Sequence, residues 1–324
     1  MRHLLLCLAA ATALTCPFAV PAQSAAPAGF PAKPLRMLVP VPAGGPSDFI
    51  ARHVAQQLST SLGQLVIVEN KPGANGLVAA RETIAAAADG YTLLYAPGSM
   101  IATPVLTKGS GLDWSRDLAP LGKVGRVPFA LAVHPAVPAH SVPDLVKHAR
   151  QNPGALNVAT STPSEVLAAA QFMKAADIHL TRIPYKGGTQ ALPDLLAGRV
   201  QLMFGPIALL QPQAKSGALR ILATLAPERS AALSDVPTMT QVGMSSVDVP
   251  TWQGLYTAAT VAPAIRVRLA ADIAAAVARP QMRVEFEHRM LAVEGATPEK
   301  LAATVKRELA LWSALADEYK LSAD

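Results

Sequence analysis

Apolar residues recur every fourth position after residue 46. Ile50, Val54, Leu58 and Leu62 fall on one face of a helix over 47–62 that Gly63 ends. The run before it, residues 35–41, is nearly continuous and apolar, as in a strand covered on both faces. A second strand follows at 65–68, a turn at 70–76, a second helix at 77–87 and a third strand at 92–95. Strand, helix, strand, helix, strand with short links predicts a parallel sheet flanked by helices. The rhythm resumes with strands at 129–133, 156–159, 180–183, 201–204 and 219–224, and helices at 142–151, 165–176 and 189–196. A strand at 254–256 and three alanine-rich amphipathic helices at 265–278, 281–289 and 298–315 close the pattern. The expected fold class is α/β, with two domains, each a parallel-type sheet flanked by helices. Residues 27–125 with 229–324 form the first, 126–228 the second, and a ligand cleft lies between them. Ligands in such sheets sit beyond the C-terminal strand ends, so the loops there are the candidates.

Composition narrows the class. The first residues carry Arg2 and His3, an apolar run over 4–14 and then Val20-Pro21-Ala22, the layout of a secretory signal peptide. It is expected to span 1–26, with cleavage after Ala22 or Ala26. Both cysteines of the 324-residue chain, Cys7 and Cys16, leave with it, so no disulfide or thiolate metal site is expected. Ala13-Leu14-Thr15 before Cys16 fits a lipobox poorly. No later stretch has the roughly twenty uninterrupted apolar residues that cross a bilayer. The net charge of +6 is spread along the chain and aromatics make up 5 %, which argues against nucleic acid as a partner.

The chemistry on offer is recognition. Val41-Pro42-Ala43-Gly44-Gly45-Pro46-Ser47-Asp48 joins the first strand to the first helix. Glycines at a helix start let the backbone approach a ligand, and first-turn N–H groups hold anions. Ser47 and Asp48 serve equally well as helix caps, and both readings stand. The loop matches neither nucleotide fingerprint. Other strand ends carry Ser99, then Thr160-Ser161-Thr162-Pro163-Ser164, then Tyr185-Lys186-Gly187-Gly188-Thr189. Hydroxyls and free N–H groups ligate a carboxylate, although each also caps helices or serves turns. Lys186 reads as an anion partner or as a solvent-facing cation. His53, His134, His140, His148, His179 and His288 lie in no metal-ligand spacing, and no Gly-x-Ser-x-Gly elbow supports Ser99 or Ser161 as a nucleophile. No catalytic residue, metal or cofactor is expected.

Several segments together resemble the Bug family, the extracytoplasmic solute-binding proteins of the tripartite tricarboxylate transporters. They are Pro42-Ala43-Gly44-Gly45-Pro46-Ser47-Asp48 with Ala51-Arg52, the stretch 68–76, Asp89-Gly90-Tyr91-Thr92-Leu93-Leu94, Ile183-Pro184-Tyr185-Lys186-Gly187-Gly188, Asp194-Leu195-Leu196-Ala197-Gly198 and Asp235-Val236-Pro237-Thr238. The resemblance covers essentially the whole mature chain. It implies a monomeric periplasmic binding protein whose two domains close on a small carboxylate, held by one loop from each domain, here 42–48 and 160–164. It further implies membrane transporter subunits as partners. A sensor that presents its liganded shape to a receptor such as a sensor kinase is the first rival, and a secreted hydrolase the second. The implied ligand-binding set is Pro42, Ala43, Gly44, Gly45, Ser47, Asp48, Ser99, Thr160, Ser161, Thr162, Ser164, Tyr185, Gly187 and Gly205. Two departures stand out. The 160–164 loop is short and lacks the family's glycines and histidine, with Pro163 removing an N–H. Gly205 stands where a polar residue such as aspartate is common. Without that carboxylate, a plain or apolar-tailed acid is the expected ligand rather than an amino acid.

Overall fold

The computed structural model describes residues 29–107, 109–225, 229 and 233–319. The expected signal peptide, with its cleavage sites and both cysteines, lies outside the described residues.

The chain opens with β1 (Leu35–Val39), α1 (Pro46–Leu62), β2 (Val66–Asn70), α2 (Leu77–Ala85) and β3 (Thr92–Pro97). In β1, Leu35, Met37, Leu38 and Val39 are all buried, as their unbroken apolar run requires. Along α1 the buried residues include Ile50, Val54, Leu58 and Leu62, and left-handed Gly63 caps the end by donating its N–H to the Ser59 carbonyl. Single-turn helices α3 (Thr103–Leu106) and α4 (Trp114–Asp117) then lead into β4 (Leu118–Arg126). After residues 127–128 a second series begins: β5 (Phe129–Val133), α5 (Val142–Gln151), β6 (Asn157–Thr160), α6 (Pro163–Ala176), β7 (Thr181–Pro184), α7 (Gly188–Leu196), β8 (Leu202–Pro206), α8 (Ile207–Lys215) and β9 (Arg220–Leu225). The chain returns with β10 (Trp252–Ala258), α9 (Pro263–Val277), α10 (Pro280–His288) and α11 (Pro298–Tyr319).

These elements form two five-stranded sheets, ordered β2-β1-β3-β10-β4 and β7-β6-β8-β5-β9. The sheets are mixed. β1 pairs in parallel with β2 and β3, and β6 with β7 and β8, as the alternating pattern predicts. The strand that enters each sheet straight after a crossing, β5 or β10, runs antiparallel to both neighbours. A parallel neighbour needs a returning crossover, and neither strand is preceded by one within its own sheet.

Both crossings lie side by side, where Val127 N–H donates to the Thr251 carbonyl at 2.9 Å. The stretch before the second crossing stays with the second sheet. Thr224 N–H of β9 donates to the Pro237 carbonyl, Met239 N–H donates back to Thr224, and Asp248 N–H reaches Gln171 of α6.

Besides the single turns α3 and α4, two elements lie outside the expected pattern, β4 and α8. In β4 the ladder to β10 slips at two bulges, and Gly122 and Gly125 lie directly under the 292–296 loop. A Cβ on Gly122 would stand 2.9 Å from the Ala296 carbonyl, so no side chain fits there. Among the described residues no helix is long and apolar enough to cross a membrane.

Candidate ligand-binding site

The C-terminal ends of β1, β3, β6, β7 and β8 converge on a cleft of about 620 Å³ between the two sheets. The crossing segments supply its floor through Val127, Pro250 and Thr251.

Each wall is a helix start built on the same tripeptide pattern, proline, serine, acid. On the first wall these are Pro46, Ser47 and Asp48 of α1; on the second, Pro163, Ser164 and Glu165 of α6. Each proline takes the first helical position, where its missing N–H costs nothing. Both serines tie their helix to the crossing region: Ser47 Oγ lies 3.3 Å from Gln253 Oε1, and Ser164 Oγ donates to the Pro250 carbonyl at 2.9 Å. Each acid reaches back to the amide four residues earlier. Gly44 N–H donates to Asp48 at 2.9 Å, and Ser161 N–H donates to Glu165 at 2.5 Å.

The two carboxylates differ in what balances them. Asp48 also accepts from Arg52 Nε at 3.0 Å and Asn70 Nδ2 at 2.8 Å. Burial alone would raise its carboxyl, but the donations from Arg52, Gly44 and Asn70 outweigh it and hold the group below the ordinary aspartate value. Gly44, at φ +90°, takes the left-handed turn that aims its amide inward at Asp48. Among the described residues no such cation pairs with Glu165. Its carboxylate also accepts from the Ser161 hydroxyl at 2.7 Å, and burial drives the carboxyl up to about 7 against the opposing bonds from Ser161 and Thr162.

The helix starts differ in the same sense. Gly45 caps α1 without a side chain, so no side-chain cap takes the first-turn amides there. Gly187 likewise caps α7 without a side-chain bond, and Gly187, Gly188 and Thr189 line the cleft. At α6 the Thr162 hydroxyl accepts from Glu165 N–H and the Glu165 carboxylate takes Ser161, a variant of the capping box. The first wall is open to an anion; the second holds the protein's own.

Of the residues expected at the site, Pro42, Gly45, Ser47, Ser99, Ser161, Thr162, Ser164, Tyr185 and Gly187 line the cleft. Tyr185 presents its ring, because its hydroxyl donates to Asp194 at 2.7 Å; burial and that bond push the phenol up to about 12. Ala43, Gly44, Asp48, Thr160 and Gly205 do not line it. Asp48 and Gly44 are occupied with each other. Thr160 is buried as the last residue of β6, its carbonyl accepting from Tyr185 N–H. Gly205 pairs with Ala130 inside its sheet, and a Cβ there would meet Met203 at 3.0 Å. The second wall carries an acid at a position the sequence reading did not single out, Glu165. Its signal was present in Thr162-Pro163-Ser164-Glu165, which has capping-box spacing. Gln253 was also unforeseen. Its Oε1 accepts from the buried Tyr95 hydroxyl at 2.7 Å and faces Ser47, which fixes that wall from behind. Lys186 lines the mouth and, with Glu165, is one of two charged side chains among the described lining residues.

A family model described as the tripartite tricarboxylate transporter family receptor matches residues 50–321. The chain belongs to this family. It is 32 % identical over 295 residues to protein BugT of Bordetella pertussis (strain Tohama I), covering 89 % of this chain and 90 % of that protein. The solved structure of the periplasmic binding protein BugD superposes with a TM-score of 0.84 at 28 % identity, covering 90 % of this chain and 99 % of BugD. Rpa4515 of R. palustris, solved with adipate, superposes with a TM-score of 0.85 at 28 % identity, covering 90 % of this chain and 99 % of that one. This receptor is thus a periplasmic solute-binding protein, and its family is one of binding proteins rather than enzymes.

Proposed function

We propose that this receptor captures a small organic carboxylate in the cleft and hands it to the membrane subunits of a tripartite tricarboxylate-type transporter. The observation that carries the reading is the open start of α1, where a glycine cap leaves first-turn amides facing the cleft at the positive end of a helix. The adipate found in Rpa4515 supports the same ligand class. Pro42, Gly45 and Ser47 form the carboxylate grip, with Ser99 and the α7 start at Gly187 beside it. Val127, Phe129, Met100 and Leu209 receive the ligand's apolar part. Binding follows from hinge closure about the two crossings.

The lobes proposed to move are residues 27–125 with the returning chain, and 126 to the second crossing. The contacts of Thr224, Pro237 and Asp248 favour an end to the second lobe near residue 250 rather than 228.

A thermal-shift screen of the purified mature chain tests the reading, with acetate, succinate, adipate, malate and citrate as probes. A specific binder at a hundred times its Kd adds about 2.7 kcal/mol to stability. Stabilisation by at least one carboxylate, lost on addition to an unfolded control, is the expected result. No shift with any of the five would count against it.

A further inference from the structure

The first wall offers donors to an anion, while the second has given its donors to Glu165. Ser161 N–H and Ser161 O–H both point at Glu165 Oε2, at 2.5 and 2.7 Å. While Glu165 is ionised, the Ser161 hydroxyl proton is engaged, and Ser161 turns only lone pairs to the cleft. A ligand carboxylate approaching this wall would meet an acceptor and a like charge, both repulsive.

A proton on Glu165 reverses that bond. The Glu165 O–H donates to Ser161 Oγ, and the Ser161 O–H is released to donate to the ligand carboxylate. The proton comes from solvent, no covalent bond breaks other than the solvent's own O–H, and the ligand stays an anion.

Among the described residues no cation pairs with Glu165. Its polar partners are Ser161 and Thr162. β6, β8, the single turn at Gly98–Ala102 and crossing residues Pro250 and Thr251 bring no titratable side chain to it. At the start of α7, Tyr185 is turned to Asp194, and Lys186 is exposed at the mouth. Across the cleft, Asp48 is satisfied by Arg52 and Asn70. A second carboxylate entering this space disfavours ionised Glu165 further.

We propose that Glu165 ties carboxylate capture to proton uptake, one proton entering the Glu165–Ser161 pair for each ligand carboxylate that the second wall accepts. Glu165 is then a specificity-determining residue, and the inference rests on the carboxylate reading above. The displacement of this group toward neutrality by burial agrees with it.

Calorimetric titration of the mature chain with adipate, with succinate, malate and citrate alongside, decides the matter when run in phosphate and in Tris, whose ionisation heats differ. At about pH 8 the wild type takes up about one proton per ligand, and its affinity falls about tenfold per pH unit above the Glu165 titration. Glu165→Gln takes up none, and its affinity stays flat with pH. Buffer-independent heats in the wild type, or uptake that persists in Glu165→Gln, would overturn the inference alone. Failure of all four acids to bind at any pH overturns the carboxylate reading and the inference with it. If Glu165→Gln does not fold, carboxyl-labelled glutamate NMR of the wild type replaces it. One glutamate signal should move to its protonated position on adding adipate at about pH 8, and a signal that stays ionised overturns the proposal.

Discussion

Asp48 and Glu165 hold equivalent places, the third residue of a helix that lines the cleft, yet their surroundings push them in opposite directions. At α1 the residue one turn on is Arg52, which donates to Asp48; at α6 the matching position is Ala169, which has nothing to donate. Burial therefore governs Glu165, while donors govern Asp48. The consequence for stability has a definite sign. Glu165 titrates near 7 in the folded protein against 4.5 as its ordinary value, so the folded state binds the proton more tightly than the unfolded chain. Its contribution is complete below about pH 4.5 and is lost as pH rises through about 7. A shift of that size corresponds to about 3 kcal/mol. Urea unfolding of wild type and Glu165→Gln should give a stability difference that moves against the wild type by about that amount between about pH 4.5 and pH 7.5. A difference constant across the range would mean that Glu165 ionises as an ordinary surface glutamate. Asp48 acts in the other window, since its stabilisation is present above the unfolded value and lost as pH falls through its lowered one.

At the level of elements, α1 was readable because its apolar positions and its stop at Gly63 obey one period; α5 was readable from end to end by the same spacing, and β5 as an unbroken apolar run. β4 was not. Pro120, Gly122 and Gly125 look like breakers, but the glycines are there because the 292–296 loop bonds onto the strand through Lys123 and Arg126, and two bulges erase the alternation. That demand comes from residues some 170 positions away, which no local window contains. The site divides in the same way. The glycine loop at α1 announces itself by composition, whereas the burial of Glu165 depends on how α6 sits against the crossing at Pro250. Gly45 offers a direct test of the α1 start. A Cβ there meets nothing within 4 Å, and its φ of −86° suits any residue. Gly45→Leu should fold, losing about 1 kcal/mol for the poorer helix cap. Its side chain fills the space a carboxylate needs, so binding of the best probe should drop by about a hundredfold or more. Unchanged affinity in a folded Gly45→Leu would place the anion elsewhere.

Across the whole molecule, the lobes approach each other beyond the crossings at more than one place, Lys174 of α6 with Glu318 of α11 and Gly187 near Pro42 among them. A Cβ on Gly187, the cap of α7, would stand 3.5 Å from Pro42 Cγ on the opposite lobe. Gly187 has an extended backbone at φ −178°, which any residue adopts, so a larger side chain costs nothing within its own lobe. It costs only when the lobes come together, and that separates closure from folding and from the grip itself. Gly187→Leu should act as a wedge. Small-angle scattering of the wild type should show a smaller radius of gyration with saturating ligand than without, whereas Gly187→Leu should remain expanded. Its affinity should fall about tenfold to a hundredfold, because the ligand must then be held by one wall at a time. A Gly187→Leu protein that binds and compacts like the wild type would show that contact between Pro42 and Gly187 plays no part in retaining the ligand.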